Sequence, residues 1–189
     1  MNIFYLDKDP IIAAQMQCDK HVVKMVVESA QMLSTTHRII DGSLERRKSI
    51  SGKTMSKYYA LPDSRENVLY KAVHMKHPCT IWTCQSNNNY NWHYVHWKAL
   101  CSEYAYRYGK RHNSEVLLDK YLVSPPHNIE VGYKTPLPLA MGSGPECIDY
   151  NDPISSYRKF YMTKQKNFNM VWTKREMPSW FIKVDNDHR

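Results

Sequence analysis

The stretch from Asp9 to Gly42 reads DPIIAAQMQCDKHVVKMVVESAQMLSTTHRIIDG and predicts one long helix. Asp9 is a good N-cap, Pro10 is favoured at the first helical position, and Gly42 supplies a stop. A period of about 3.6 residues places apolar side chains on one face. These residues are Cys18, Val22, Val26, Ala30 and Leu33. This stripe predicts the side of the helix that faces the core.

Two further helices follow from similar signals. Apolar residues at helical spacing over 88–108 predict a second long helix with an aromatic buried side. They are Tyr90, His93, Trp97, Leu100 and Tyr104. Asp152 and Pro153 repeat the start signal and open a third helix, whose apolar positions continue to Trp172. A helical pattern also covers 65–75.

The remaining segments lack a helical period. Strand signals are confined to 3–6, and the basic stretch 42–57 predicts an exposed loop. Residues 124–146 hold five of the ten prolines and predict a long irregular loop, and 183–189 predict a polar tail. We therefore predict a mainly α fold, a single compact helical domain over 1–189 with little or no sheet.

The composition indicates the class of partner. Lysine and arginine number 26 against 18 acidic residues, which gives a net charge of +8 and favours a polyanion: nucleic acid, with DNA as first choice, or a nucleotide. A hydrophobic share of 42% excludes a disordered chain. Five cysteines without a CxxC pair indicate reduced thiols. No apolar run approaches the roughly 20 residues of a membrane span, so we expect a soluble cytoplasmic protein without a membrane partner.

Five ionisable residues lie within three turns of the first helix: Asp19, Lys20, His21, Lys24 and Glu28. His21 and Glu28 share one flank as a candidate acid/base pair. The two lysines lie on the adjacent polar face and are candidates for phosphate contact or for an amine nucleophile. Asp19 points toward the core, needs a partner such as arginine, and would orient the other groups. Surface ion pairs and a tie to a neighbouring segment are the structural alternatives.

A second set of residues has the composition of a nucleic-acid surface. Asparagine amides read base edges, aromatic faces stack on displaced bases, and cations hold phosphates. The candidates are Arg46, Arg47, Lys48, Asn89, Tyr90, Trp92, Arg107, Lys110, Arg111, Arg158 and Arg175. The alternatives are a polar helix start with aromatic residues in the core, and cations that neutralise a helix C-terminus.

Known cofactor and metal signatures are missing. The sequence has no phosphate loop, dinucleotide fingerprint, HExxH or deaminase motif. The spacing of Cys79, Cys84, His93 and His96 resembles a zinc site only loosely, and core thiols with a hydrogen-bonded histidine are the preferred alternative. We predict no metal and no cofactor.

Three segments carry a family resemblance: LDKDPIIAAQMQCDKHVVKMVVESAQML at 6–33, HPCTIWTCQSNNNYNWHYVHWKALCSEYAYRYGK at 77–110, and WTKREMPSWF at 172–181. They resemble a family of small phage-encoded proteins. More distantly, the order of elements resembles the pyrimidine-dimer DNA glycosylases, which have a polar first helix, an aromatic middle helix and a closing Arg-x-x-Pro-x-Trp/Tyr-like segment. Arg175, Pro178 and Trp180 match that closing segment.

The resemblance implies base excision, in which an amine attacks the sugar carbon and a glutamate on the first helix assists. Glu28 matches that glutamate by its helix position. The family uses an N-terminal amine that is exposed when methionine is removed before a small residue. Asn2 departs from that pattern, which leaves the amine of Met1, Lys20 or Lys24 as nucleophile.

The predicted function is therefore that of a base-excision N-glycosylase and abasic-site lyase of phage origin. In this prediction, basic loops bind DNA and an aromatic cleft receives a flipped base. Two alternatives remain open. One is a non-catalytic protein that binds nucleic acid or a nucleotide signal and acts on host processes. The other is an enzyme that acts on a small nucleotide.

Overall fold

A computed structural model describes residues 1–49 and 51–184. Within these residues the fold is mainly helical, which confirms the predicted class. The helices are α1 (Pro10–Gln15), α2 (Asp19–Asp41), α3 (Pro78–Gln85), α4 (Asn87–Tyr108), α5 (Asn113–Leu122) and α6 (Pro153–Met162). The strands are β1 (Ser43–Lys48) and β2 (Met55–Ala60). Among the described residues, no helix combines the length and apolar character needed to cross a membrane. Of the predicted polar tail, 185–189 lie outside the description.

The core lies between α2 and α4. The whole predicted stripe of α2, from Cys18 to Leu33, is inaccessible to solvent, and so is the aromatic side of α4 except for the half-buried Tyr104. The Trp97 indole donates to the carbonyl oxygen of Val26 at 3.0 Å and so joins the two helices. The period of apolar residues thus predicts correctly which sides of the two long helices pack together.

The single helix predicted from Pro10 to Asp41 is wrong, because the chain leaves the helical path between Gln15 and Asp19. Side chains from distant segments bind the backbone groups that this break exposes. Arg107 donates to the carbonyl oxygens of Gln15 and Gln17 at 3.1 and 2.9 Å. The Trp172 indole donates to the carbonyl oxygen of Met16, and the Tyr161 hydroxyl accepts the Cys18 amide. These partners make the break stable inside the protein.

The predicted exposed loop at 42–57 is also wrong: it contains β1 and the first half of β2, which form an antiparallel ribbon. The side chains are exposed as predicted, but the backbone is paired. Glu66 fixes the ribbon to the body by accepting from the Tyr58 hydroxyl at 2.6 Å and from Arg38 at 2.7 Å. The sheet is therefore small and peripheral.

Two other predicted elements end earlier than expected. The pattern over 65–75 yields only a 3-10 turn at Ser64–Asn67, because the buried Arg38 guanidinium binds the carbonyl oxygens of this segment. Helix α6 begins at the predicted Asp152 cap but stops at Met162, followed by a 3-10 turn at Thr163–Lys166. Trp172 lies beyond it and packs against the helix break.

Candidate functional site

Each of the two carboxylate oxygens of Glu28 lies close to an amine. The α-amine of Met1 lies 3.5 Å from Oε2, and Lys24 Nζ lies 3.4 Å from Oε1. The Glu28 side chain is only 16% exposed, and Oε2 is buried without a hydrogen-bond partner among the described residues. A buried carboxylate oxygen that lacks hydrogen bonds is costly unless charge or substrate compensates for it. The carboxylate is therefore held between two potential nucleophiles.

The first residues of the chain are locked in place, which positions the amine. Asn2 is buried, donates to the Ala140 carbonyl oxygen at 2.8 Å and accepts from the Phe4 amide at 3.0 Å. Phe4 has a positive φ of 59°, a conformation that costs energy for a bulky residue. Residues 3–6 are buried and, contrary to the strand signal, form no strand. The entry of the chain into the core thus fixes the α-amine beside Glu28.

His77, which directly precedes α3, borders the same amine. Burial, followed by the charge of the Met1 amine and by His74, lowers the pKa of His77, and Glu28 opposes them. His77 also caps α3 by accepting from the Cys79 amide at 3.2 Å. His74 has a positive φ of 49°. Its carbonyl oxygen accepts from the His77 amide at 2.9 Å, so this unusual conformation lies next to the histidine that borders the amine.

His21 does not pair with Glu28 as predicted. Its ring is stacked on Phe4 at 4.8 Å, and its Nδ1 lies 2.7 Å from the Tyr161 hydroxyl. Burial, followed by the charges of the nearby lysines, lowers the pKa of His21 to about 4. The imidazole is therefore neutral near pH 7 and cannot act as a cationic acid there.

Asp19 fastens the start of α2 and lies away from Glu28. It accepts from Arg107 at 2.9 Å, and from the Thr173 amide and hydroxyl at 2.9 and 2.6 Å. Nine residues of helix separate it from Glu28, which is about 13 Å along the axis. The predicted arginine partner is present, but a direct orienting contact with Glu28 is not.

Three predicted base contacts are wrong, because these residues are buried and bonded inside the protein. Asn89 donates to the Trp82 carbonyl oxygen at 2.7 Å, and its own oxygen accepts from the Thr135 amide. The Tyr90 hydroxyl donates to the Leu122 carbonyl oxygen, and the Trp92 indole donates to that of Lys8. Each polar atom already has a partner, so these side chains hold the fold and offer no surface to a base.

Three predicted phosphate ligands have structural partners instead. The Arg107 side chain is fully buried and binds Glu103 and Asp19. Arg175 also binds Glu103, at 2.6 Å. Arg158 donates to the Leu6 carbonyl oxygen and is half-buried. We therefore remove these three arginines from the predicted nucleic-acid surface.

The exposed part of that surface lies on the ribbon and at the end of α4. Arg46 stands directly opposite Lys57 across the two strands, and Lys48 stands opposite Met55. Lys48, Lys57 and Lys71 line a cleft of about 370 Å³ beside the ribbon. Like charges directly opposite each other destabilise a strand pair, so this face favours an anionic partner.

The other exposed cations are partly neutralised. Arg47 pairs with Glu45 and Glu66, while Arg111 pairs with Glu115 at 3.1 Å. Lys110 is exposed in the turn after α4. These residues remain candidates for phosphate contact, and the ribbon presents Arg46, Lys48 and Lys57 together on one face.

The loose zinc pattern is not assembled. Among residues 1–49 and 51–184, no three histidine, cysteine or acidic side chains form a metal-binding group. His93 Nδ1 lies 2.8 Å from the Thr83 hydroxyl, and His96 Nε2 lies 3.3 Å from the Gln17 amide. Both imidazoles belong to the core.

Sequence reasoning missed His77 as a member of the site. One signal was available, because His77 and Pro78 repeat the pattern of a polar cap before proline that marks Asp9 and Asp152. Nothing local indicates that α3 starts beside the first residue of the chain. Comparison of the chain with known protein families, characterised proteins and solved structures finds no match.

Proposed function

We propose that this chain acts on DNA as a base-excision N-glycosylase with abasic-site lyase activity, through an amine that Glu28 serves as acid and base. The observation that carries the proposal is the pair of amines at 3.5 and 3.4 Å on the two oxygens of one nearly buried carboxylate. A nucleophile and its base within reach of each other form the usual arrangement for covalent catalysis. The α-amine of Met1 is the better placed of the two, because Lys24 is largely exposed.

The reaction follows from this pair. Glu28 accepts a proton from the ammonium group, and the free amine attacks the anomeric carbon of the sugar. The bond to the base breaks, its electron pair leaves with the base, and the base takes up a proton. The attached nitrogen passes a proton to Glu28, the bond between the anomeric carbon and the ring oxygen breaks, the ring oxygen takes up that proton, and the nitrogen lone pair completes an iminium with the sugar carbon. Loss of a proton from the neighbouring carbon to Glu28 expels the 3′ phosphate, and water releases the amine.

The ribbon supplies the contact with the DNA backbone in this proposal. Arg46, Lys48 and Lys57 lie on one exposed face, and phosphate neutralisation would relieve their repulsion. An enzyme of this kind also has to take its base out of the stack. The buried residues Asn89, Tyr90 and Trp92 do not serve that step.

Borohydride trapping on a duplex with one abasic site tests the proposal. We expect a covalent adduct in the intact mass spectrum, and peptide mapping identifies the modified amine as that of Met1 or of Lys24. Glu28→Gln should reduce adduct formation by 100-fold or so, about the size of a general-base effect. Glu130→Gln, an exposed change with the same loss of charge away from the ribbon, should leave it unaltered.

Binding without an adduct would overturn the mechanism. If wild-type protein binds duplex DNA with a steep dependence on salt and no amine is trapped, the non-catalytic alternative is correct. Tight binding of a mononucleotide that salt hardly weakens would instead indicate an enzyme for small nucleotides. Both outcomes exclude the proposed lyase chemistry.

A further inference from the structure

The cleft beside the ribbon has lysines on both of its walls. Lys48 and Lys57 line it from the ribbon, and Lys71 lines it from the segment at 71–73. Its volume is about 370 Å³. Lys71 is exposed and is not among the residues that the sequence predicts to bind nucleic acid. Tertiary packing therefore adds a cation that composition and spacing do not indicate.

The C-terminal part of α2 holds both walls of this cleft. The buried Arg38 guanidinium donates to the Tyr59 carbonyl oxygen of the ribbon at 2.8 Å and to the Tyr70 carbonyl oxygen at 2.7 Å. The Thr35 hydroxyl, one turn earlier, lies 3.3 Å from the Val73 carbonyl oxygen and accepts from the Val73 amide at 3.1 Å. The separation of the walls is therefore fixed before any ligand binds, and a preformed site loses less conformational freedom on binding.

Four cations on the ribbon and on the facing segment form no ion pair in the part of the chain that the structure describes. They are Arg46, Lys48, Lys57 and Lys71. Glu45 in β1 and Glu66 at the base of the ribbon pair instead with Arg47, at 2.9 and 3.2 Å. The four cations keep their positive charge without a counter-charge, so a bound anion would be stabilised there.

The positive charge continues beyond the cleft along the ribbon. Arg46 and Lys48 are two residues apart in β1, so their side chains project from the same face about 7 Å apart. Lys57 lies directly opposite Arg46 on β2. A row of cations can neutralise several phosphates of one strand, whereas an isolated phosphate would neutralise only part of it. The arrangement therefore favours a nucleic-acid strand over a small anion.

The wall that carries Lys71 is fastened to the helix that carries Glu28. Thr35 follows Glu28 by seven residues of α2, which is about 10 Å along the helix axis. This length corresponds to roughly three base pairs of a duplex. A strand held in the cleft would thus have its sugars within a few nucleotides of the Glu28 centre.

We propose that the cleft between the ribbon and residues 71–73 binds the phosphate backbone of one DNA strand, with Lys71 as the contact on the wall opposite the ribbon. The inference rests on the proposed function and deepens it, since it names the part of the substrate that is held and the direction in which the strand runs along β1. Arg38 and Thr35 are positioning residues in this proposal, because they hold the walls and do not touch the strand.

The salt dependence of DNA binding tests the cleft. Binding of a fluorescent duplex with one abasic site is measured by anisotropy between about 50 and 200 mM salt. Lys71→Gln should lower the slope of log affinity against log salt by about 0.9, the value of one phosphate contact, and weaken binding roughly eightfold at about 0.1 M salt. Lys120→Gln, an exposed change in α5, should retain the wild-type slope and affinity.

Equal slopes for Lys71→Gln and Lys120→Gln would overturn the cleft. If Lys71→Gln does not fold by circular dichroism, Lys48→Gln takes its place with the same expectation. Borohydride trapping on the same duplex separates this inference from the proposed function. An adduct that forms while the Lys71→Gln slope stays that of wild type refutes the cleft alone. A lowered slope without any adduct supports the cleft and refutes the lyase chemistry.

Competition distinguishes a strand from a small phosphate. Unlabelled duplex should displace the fluorescent duplex at a far lower concentration of phosphate groups than deoxyadenosine monophosphate does, because the strand contacts several cations at once. Equal displacement by the two competitors, counted per phosphate group, would assign the cleft to small phosphates and contradict a strand.

Discussion

The guanidinium of Arg107 lies 2.9 Å from the carboxylate of Asp19, although 88 positions separate them in the chain. The arginine side chain is fully buried, and the same group binds Glu103 at 3.0 Å. It therefore fixes the start of α2 to the end of α4. Removing it would leave the buried Glu103 with only the partly exposed Arg175 as an ionic partner.

We expect Arg107→Met to lower the free energy of unfolding by about 3–5 kcal/mol, because a buried charge loses its main partner. Urea denaturation measures the loss. Arg111→Met removes a guanidinium that is 61% exposed in its pair with Glu115, and should cost no more than about 1 kcal/mol. Equal losses for the two variants would show that Arg107 does not hold the helix break.

Stability should fall as the pH drops from about 6.5 to about 4. Burial lowers the pKa of His21, His37 and His96 to about 4 each. In the unfolded chain these groups titrate near 6.5, so within that window the unfolded state binds more protons and is favoured. Above about pH 6.5 the contribution of these neutral histidines to stability is fully present. Glu66, whose pKa is lowered from 4.5 to about 2, adds a further loss of stability as the pH falls below about 4.5.

Urea midpoints at pH 7, 6, 5 and 4.5 test this window, and the total effect should be on the order of a few kcal/mol. The exposed His127→Gln should show the same profile as wild type. A flat profile between pH 7 and 5 would mean that these imidazoles are not held neutral in the fold.

The ribbon should contribute to DNA binding, and the repulsion between its residues Arg46 and Lys57 should lower the stability of the protein. Arg46→Gln combined with Lys57→Gln should reduce the slope of log affinity against log salt by about 0.9 for each lost phosphate contact. Because the pair repels across the strands, stability should stay equal or rise by a few tenths of a kcal/mol. Lys120→Gln combined with Lys183→Gln, two exposed changes elsewhere, should leave the slope unchanged. An unaltered slope in the ribbon variant would exclude this surface.

His74→Gly should stabilise the protein by about 1 kcal/mol, since glycine adopts a positive φ without the strain of a side chain. Thermal or urea unfolding measures the gain. Lys76→Gly, two residues along in ordinary backbone geometry, should instead reduce stability. If His74→Gly also slows trapping of an abasic sugar, the imidazole contributes to the site as well as to the backbone.

Helix starts and core faces could be predicted from the sequence because their causes are local. Asp9 and Asp152 cap their helices through their own side chains, and the stripe from Cys18 to Leu33 is a property of one helix. The break before Asp19 could not be predicted, because its partners come from α4, α6 and the segment at 171–173. The ribbon escaped prediction because both of its faces carry exposed polar residues, so it lacks the alternation that identifies a strand.

The residues of the candidate site also differ in whether the sequence alone could predict them. Glu28 and Lys24 are one helical turn apart and could be paired from the sequence, whereas His77 reaches them only through tertiary packing. The predicted base contacts of Asn89, Tyr90 and Trp92 are wrong for a related reason. Their polar atoms form hydrogen bonds with Thr135 and with backbone groups that are distant in the sequence. Composition indicates that such residues need partners, but not whether these are bases or backbone.

The helix break also limits when, during synthesis of the chain, the backbone around residues 15–19 can be completed. The backbone groups between Gln15 and Asp19 find their partners on Arg107, on Tyr161 and on the segment that ends at Thr173. A nascent chain that still lacks residues 171–173 leaves the Met16 carbonyl oxygen and the Asp19 amide without these partners. The break between α1 and α2 is therefore complete only once Thr173 has been synthesised, when more than nine-tenths of the described residues are present.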